Sequence, residues 1–239
     1  TIKNDDSKND NLSNLIDFCH KKNIYQTAGI PPITIYEVYD ALRDLKQNNT
    51  RGIDGLDGKV LKICAPIISE TLTYIYNLCI DSNYFPQAFK QSKIIPLFKA
   101  GDPKDPSNYR PISIISVLSK PLESHLLKYL TEHIRKYKLL HPNQSGFRKN
   151  HSCQTALTNL VEQFYTNIKD KKLSGVIFAD FAKAFDVIDH SLLLRKLKHY
   201  NLSQNFLNVI DSFLRNRRQK VSLNSSDSTF QYLTSGIPQ

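Results

Sequence analysis

Residues 178–190 read FADFAKAFDVIDH. The approach, Ser174-Gly175-Val176-Ile177, turns apolar, and three carboxylates follow within ten residues: Asp180, Asp186 and Asp189. The run GVIFAD (175–180) predicts a strand that is apolar on both sides of Asp180, the pattern of a sheet covered by helices. An Asp at a strand end can simply cap the next turn. On a covered strand, however, an ionised carboxylate needs a cation or a hydrogen-bonding partner. Asp186 and Asp189 lie past the strand end, where capping a helix predicted over 190–200 explains them. Phe185 brings an aromatic back five residues after Asp180.

Outward from this stretch the chain alternates helices with hairpins. Ile35, Val38, Tyr39, Leu42 and Leu45 predict a helix over 34–47. TRGIDGLDG (50–58) reads as a loop, and a helix is predicted over 66–81 with Pro66 at its start. KIIPLFK (93–99) and YRPISII (109–115) predict two strands of one hairpin, joined by the turn-rich GDPKDPSN. A helix over 120–137, with Ser119 as its cap, carries the stripe Leu122, Leu126, Tyr129, Leu130, Ile134 and Tyr137. Another fits 153–169, with Ala156, Leu157, Leu160, Val161, Phe164 and Ile168. Beyond the opening stretch come helices over 190–200 and 203–215, the second capped by Ser203. QKVSLN (219–224) and TFQYLT (229–234) then predict a closing hairpin. Hairpins in place of regular strand–helix–strand units indicate an α+β fold.

The charge is uneven. Net charge is +10, yet residues 1–50 carry six Lys/Arg against seven Asp/Glu, whereas 90–149 carry twelve against four. A basic centre suggests a polyanionic partner, most often nucleic acid; a solvated basic surface is the plainer alternative. Cys19, Cys64, Cys79 and Cys153 show no paired spacing, so neither a zinc site nor disulfides are expected. They read as reduced thiols of an intracellular protein, nuclear or cytoplasmic. No apolar run approaches the ~18 residues that a membrane span needs, and no membrane partner is expected. Residues 1–34 begin as a polar segment expected to be a tail or linker. The absence of methionine suggests a chain cut from something longer.

A natural partner for Asp180 is Mg²⁺, held by one or two carboxylates together with substrate phosphates and water. Two such ions, ~4 Å apart, can activate a 3′-hydroxyl and steady a leaving pyrophosphate. FADFAKAFDVIDH resembles the first catalytic motif of the reverse transcriptases of non-LTR retrotransposons, the jockey-like and LINE-like elements. Four further stretches agree in order: RGIDGLDGKVLK (51–62), IIPLFKAGDPKDPSNYRPISIIS (94–116), HPNQSGFRKNHSCQTAL (141–157) and TSGIPQ (234–239). The resemblance covers roughly 35–239. It implies a partial right-hand polymerase, with fingers over 35–172, including the basic hairpin 93–115, and a first half of the palm over 173–239.

For individual residues the resemblance implies the following. Asp180 is the catalytic carboxylate and metal ligand, with the Phe181 carbonyl beside it. Arg110 contacts the triphosphate, a role suited to a fixed, permanently charged fork; a template phosphate is the alternative. Lys99 is a second triphosphate contact, with Lys104 competing. Gln239 packs near the sugar and base of the nucleotide. Gly146, Phe147, Arg148 and Lys149 lie along the template. Phe185 lies under the sugar and excludes a 2′-hydroxyl, which points to dNTPs; alternatively it is a core residue beside Phe181 and Ala184. RNA template, RNA/DNA hybrid and dNTP are the implied partners. The family also needs a second acidic strand-turn after SGIPQ. The one adjacent Asp pair, Asp5-Asp6, sits in the polar tail, so the chain is expected to be inactive alone and to end before that motif. The competing readings are a domesticated nucleic-acid-binding fragment without catalysis, and an RNA-dependent RNA polymerase or an intron maturase. Phe185 argues against the RNA polymerase, and the hairpin loop argues against the maturase.

Overall fold

A computed structural model describes Ser13 and residues 16–19, 21–22, 24–46, 51–181, 183–224 and 226–238. Gln239 and the Asp5-Asp6 pair therefore lie outside the described residues. Six helices are named here: α1 (Ile35–Arg43), α2 (Gly58–Asp81), α3 (Lys120–Lys136), α4 (Cys153–Lys169), α5 (His190–His199) and α6 (Gln204–Leu214). The strands are β1 (Gln91–Phe98), β2 (Tyr109–Ile115), β3 (Arg218–Leu223) and the two-residue β4 (Ser226–Asp227) and β5 (Gln231–Tyr232). The fold mixes helices with one mixed sheet, as an α+β chain should.

The predicted hairpin forms with its ladder running from Ser92↔Ile115 to Phe98↔Tyr109. β1 also pairs in parallel with β3, from Gln91↔Arg218 to Ile94↔Val221. β3 in turn pairs antiparallel with β4 and β5. The closing hairpin is thus part of the same sheet as the first one, an arrangement that local pattern does not announce.

Helix boundaries follow capping chemistry. Thr34 and Glu37 form a reciprocal capping box on α1. α2 starts eight residues before the predicted position, because Asp57 accepts from the Val60 amide and nucleates the first turn there; Pro66 is inside the helix, not at its start. α2 has the length and mean hydropathy of a membrane-crossing helix. Its inner face, from Leu61 through Tyr76 to Ile80, is packed in the core, as in an ordinary core helix. Ser119 stands at the N-cap position of α3 but does not cap it; its hydroxyl donates to the Ser116 carbonyl at 2.9 Å. Ser152, Asp189 and Ser203 cap α4, α5 and α6 through side-chain oxygens.

The core joins α1, α2, α3, α5 and α6 through Val38, Leu42, Ala65, Tyr76, Leu122, Leu197 and Phe206. Each buried Val, Leu or Phe side chain among these contributes about 1.5–3 kcal/mol of apolar transfer. Phe85 anchors an aromatic cluster, edge-on to Phe213 at 5.0 Å and to Phe89 at 5.9 Å. Part of the expected N-terminal tail joins this body: Ile33 is buried, and the Pro31 carbonyl bonds His125 at 2.8 Å.

The first strand of the opening stretch does not form: the segment 175–180 is irregular and open, with Ile177 95% and Phe178 86% exposed. A strand exists only with a ladder partner, and none of the described residues pairs with it. α4 forms at its predicted place, but none of its residues is buried; Leu157 and Ile168 of its apolar stripe face outward.

Candidate active site

The stretch that follows Asp180 is held by the stretch that precedes Gln239. A turn carries the chain from Lys183 to Val187, with the Asp186 and Val187 amides donating to the Lys183 carbonyl. Residues 235–237 then clasp this turn. The Ile237 amide donates to the Phe185 carbonyl at 3.0 Å, and the Gly236 amide to the Ile188 carbonyl at 2.9 Å. The Ser235 hydroxyl donates to the Asp186 carbonyl at 3.0 Å, and the His190 ring, through Nε2, bonds the Gly236 carbonyl at 2.6 Å. Gly236 adopts φ +80°, and a Cβ on it would stand 2.7 Å from the Asp186 carbonyl oxygen. Only glycine meets both the angle and the close approach.

Within this clasp Phe185 is half-buried and meets Phe147 edge-on, with ring centroids 6.1 Å apart. SGFRKN and FADFAKAFD, far apart in sequence, therefore touch through their aromatic residues. Arg148 donates from Nη1 to the carbonyls of His141, Pro142 and Gln144. One edge of its guanidinium thus shapes the 141–148 loop. Gly146, Phe147 and Lys149 are exposed.

The hairpin presents its charge near the tip. Lys99 and Arg110 are exposed, and the Lys99 amide bonds the Asn108 carbonyl, closing the loop that carries Lys104. Arg110 and Ile112 share one face of β2; Pro111 and Ser113 share the other. That second face lines a cavity of about 230 Å³ together with Ile94, Asp186, Gln219 and Gly236. Of the basic residues in 90–149, Lys90 is buried and donates to the Ser212 carbonyl, and Lys128 pairs with Glu37 at 2.8 Å. Lys90 therefore adds nothing to the basic surface, whereas Lys128 is exposed but paired. The RGIDGLDG segment has a supporting role: the Asp54 carboxylate accepts from Ser116 at the exit of β2, and Asp57 accepts from Arg51.

Asp180 lies in the exposed irregular segment, beside an exposed Phe181. No group of three or more His, Cys, Asp or Glu residues able to hold a metal ion occurs among the described residues. Asp189 caps α5, as expected, whereas Asp186 faces the cavity.

Sequence reasoning missed His190, Ser235 and the buried Arg217. Arg217 is 1% exposed, and its carbonyl accepts from the Leu233 amide at 2.9 Å, fixing the approach to the clasp. A His directly after a helix-capping Asp carries no local signal; its partner is 46 residues away.

Residues 99–239 match the reverse transcriptase (RNA-dependent DNA polymerase) family. The chain belongs to that family. It is 30% identical over 217 residues to the probable RNA-directed DNA polymerase from transposon BS of Drosophila melanogaster, covering 90% of this chain and 24% of that protein. It is 31% identical over 208 residues to the RNA-directed DNA polymerase from mobile element jockey of the same fly, covering 87% and 23%. Its similarity to the probable RNA-directed DNA polymerase from transposon X-element is 28% over 211 residues, 88% of this chain and 23% of that protein. The chain thus spans about a quarter of the length of these relatives. The resemblance to jockey-like non-LTR elements is confirmed. Reverse transcriptases as a family depend on divalent metal.

Proposed function

We propose that the chain supplies the fingers (35–172) and the nucleotide side of the palm (173–239) of an RNA-directed DNA polymerase that extends a primer 3′-hydroxyl with dNTPs. The observation that carries this reading is the clasp. It joins Phe185, five residues after Asp180, to Ser235-Gly236-Ile237, with the basic hairpin across the cavity. Arg110 and Lys99 are assigned to the triphosphate, Phe185 and Gln239 to the sugar and base, and residues 146–149 to the template. Mg²⁺ is the metal we assign, with Asp180 and the Phe181 carbonyl as its ligands from this chain.

Primer extension on poly(rA)/oligo(dT) with Mg²⁺ tests the reading, in a protein extended to the length of the relatives. Wild type should incorporate dTMP, and Asp180→Asn should lower the rate by orders of magnitude with template binding nearly intact. Equal activity of the two, or none in wild type, would overturn it. The 239-residue chain alone should show no incorporation above its own Asp180→Asn control, because its described residues gather only one of the needed carboxylates.

A further inference from the structure

His190 looks like an ordinary helix-start residue, yet its ring reaches across the chain to a glycine carbonyl. A carbonyl only accepts, so Nε2 must carry the proton in this contact. The bond is 2.6 Å long and partly shielded from water. Its acceptor belongs to Gly236, whose amide holds Ile188 and whose neighbours hold Phe185 and Asp186. The His190 backbone is fixed independently, by the turn of helix that Asp189 caps at 3.0 Å. The ring is therefore a brace between the rigid start of α5 and the one residue of the clasp that cannot be anything but glycine. Without it the Gly236–Ile237 peptide is held only by the Ile237 amide on the Phe185 carbonyl, and rotation of that peptide would break this remaining bond.

We propose that His190 is a positioning residue for sugar selection: its Nε2–H bond to the Gly236 carbonyl sets where the Phe185 ring stands beneath the nucleotide sugar. The substrate part rests on the polymerase reading; the structural part does not. Two measurements therefore separate the failures. In the 239-residue chain, amide hydrogen exchange at Gly236 and Ile237 should quicken at least tenfold in His190→Leu and return towards wild type in His190→Gln, whose side-chain amide can occupy the Nε2 position. In the extended polymerase, His190→Leu should reduce the dNTP-over-rNTP ratio of kcat/KM about tenfold and raise the dNTP KM more than it lowers kcat, with His190→Gln restoring both. Should His190→Leu fail to fold, His190→Asn, polar but too short to reach Gly236, takes its place with the same expected losses. Unchanged exchange in a folded Leu or Asn variant overturns the brace. Quickened exchange with an unmoved sugar ratio overturns the link to Phe185, and an inactive wild-type polymerase condemns the polymerase reading while the exchange result still stands or falls alone.

Discussion

Phe185 has its backbone carbonyl bonded to Ile237 and its ring against Phe147, so few ways remain for it to relax after a change. Phe185→Val in the extended polymerase should admit ribonucleotides, shifting the matched rNTP/dNTP ratio of kcat/KM about tenfold, or ~1.4 kcal/mol. Steady-state incorporation of matched pairs reads it; an unmoved ratio in a folded variant makes Phe185 a packing residue only. Arg217 tests a different kind of burial. Its Nη1 donates to the Phe213 carbonyl, but Nε and Nη2 meet no hydrogen-bond acceptor among the described residues, and Glu123 nearby leaves Oε1 likewise unmatched. Burial raises the Glu123 carboxyl above its usual range, partly countered by Ser119 and the charges of Arg217 and Lys120. A raised carboxyl costs stability as pH climbs through its folded value. Glu123→Gln should therefore melt no lower than wild type at neutral pH. Arg217→Met should lower stability, since it removes the Nη1 bond to the Phe213 carbonyl and the positive charge that partly offsets the burial of Glu123. Chemical denaturation of the two variants decides between these outcomes. None of this was visible in the sequence, where Arg217 is one of two adjacent arginines and only the fold distinguishes the buried one.

Among the elements, α1 and the hairpin were legible because each is set by its own residues: a capping box, a helical apolar stripe, two alternating runs flanking a turn-rich loop. For α1 this makes a pH test possible. Burial pushes the Glu37 carboxyl up, but hydrogen bonds from Lys128 and Thr34, with the Lys128 charge, overcome it and hold the group at about 2. A depressed carboxyl stabilises above its unfolded value, and that stability is lost as pH falls. Between roughly pH 4.5 and 2, unfolding of wild type should become easier by more than that of Glu37→Gln, as thermal melts across that range would show. At the hairpin, Lys99, Lys104 and Arg110 are exposed while Lys90 is engaged inside. Reversing Lys99 and Lys104 to Glu should weaken RNA of any sequence alike and flatten the plot of log K against log[salt] by about 0.7 per lost single-strand contact. Fluorescence anisotropy in a salt series would read this, and an unchanged slope would detach the hairpin from RNA. The strand expected over 175–180 illustrates the limit of such reading. An apolar run ending in an acid describes a residue pattern, but a strand is a pairing, and the partner is not named by the run itself.

At the scale of the whole molecule, the pairing that sequence could not announce is the parallel contact between β1 and β3. The two strands lie far apart in the sequence, and nothing in QSKIIPLF or RQKVSL specifies the other. The clasp was half legible for the same reason: FADFAKAFDVIDH and SGIPQ each resemble family motifs, but the four hydrogen bonds between them are contacts across about fifty residues of chain, with the Leu233 amide bonded to the Arg217 carbonyl at their approach. The parallel pair also has a meaning in time. Gln91 meets Arg218, 127 residues later (218 − 91). On a ribosome adding roughly 5–20 residues per second, β1 waits about 6–25 s for its neighbour, with one flank unpaired and open to any passing strand. The composition of β1 suits such a delay: Lys93 sits in its middle, and Pro96 offers no amide to a stray partner. Nascent chains arrested short of residue 218 should therefore keep 91–98 open to protease, and longer ones should close it. Slowing synthesis between the two strands should cost folded yield, although every finished molecule has the same sequence.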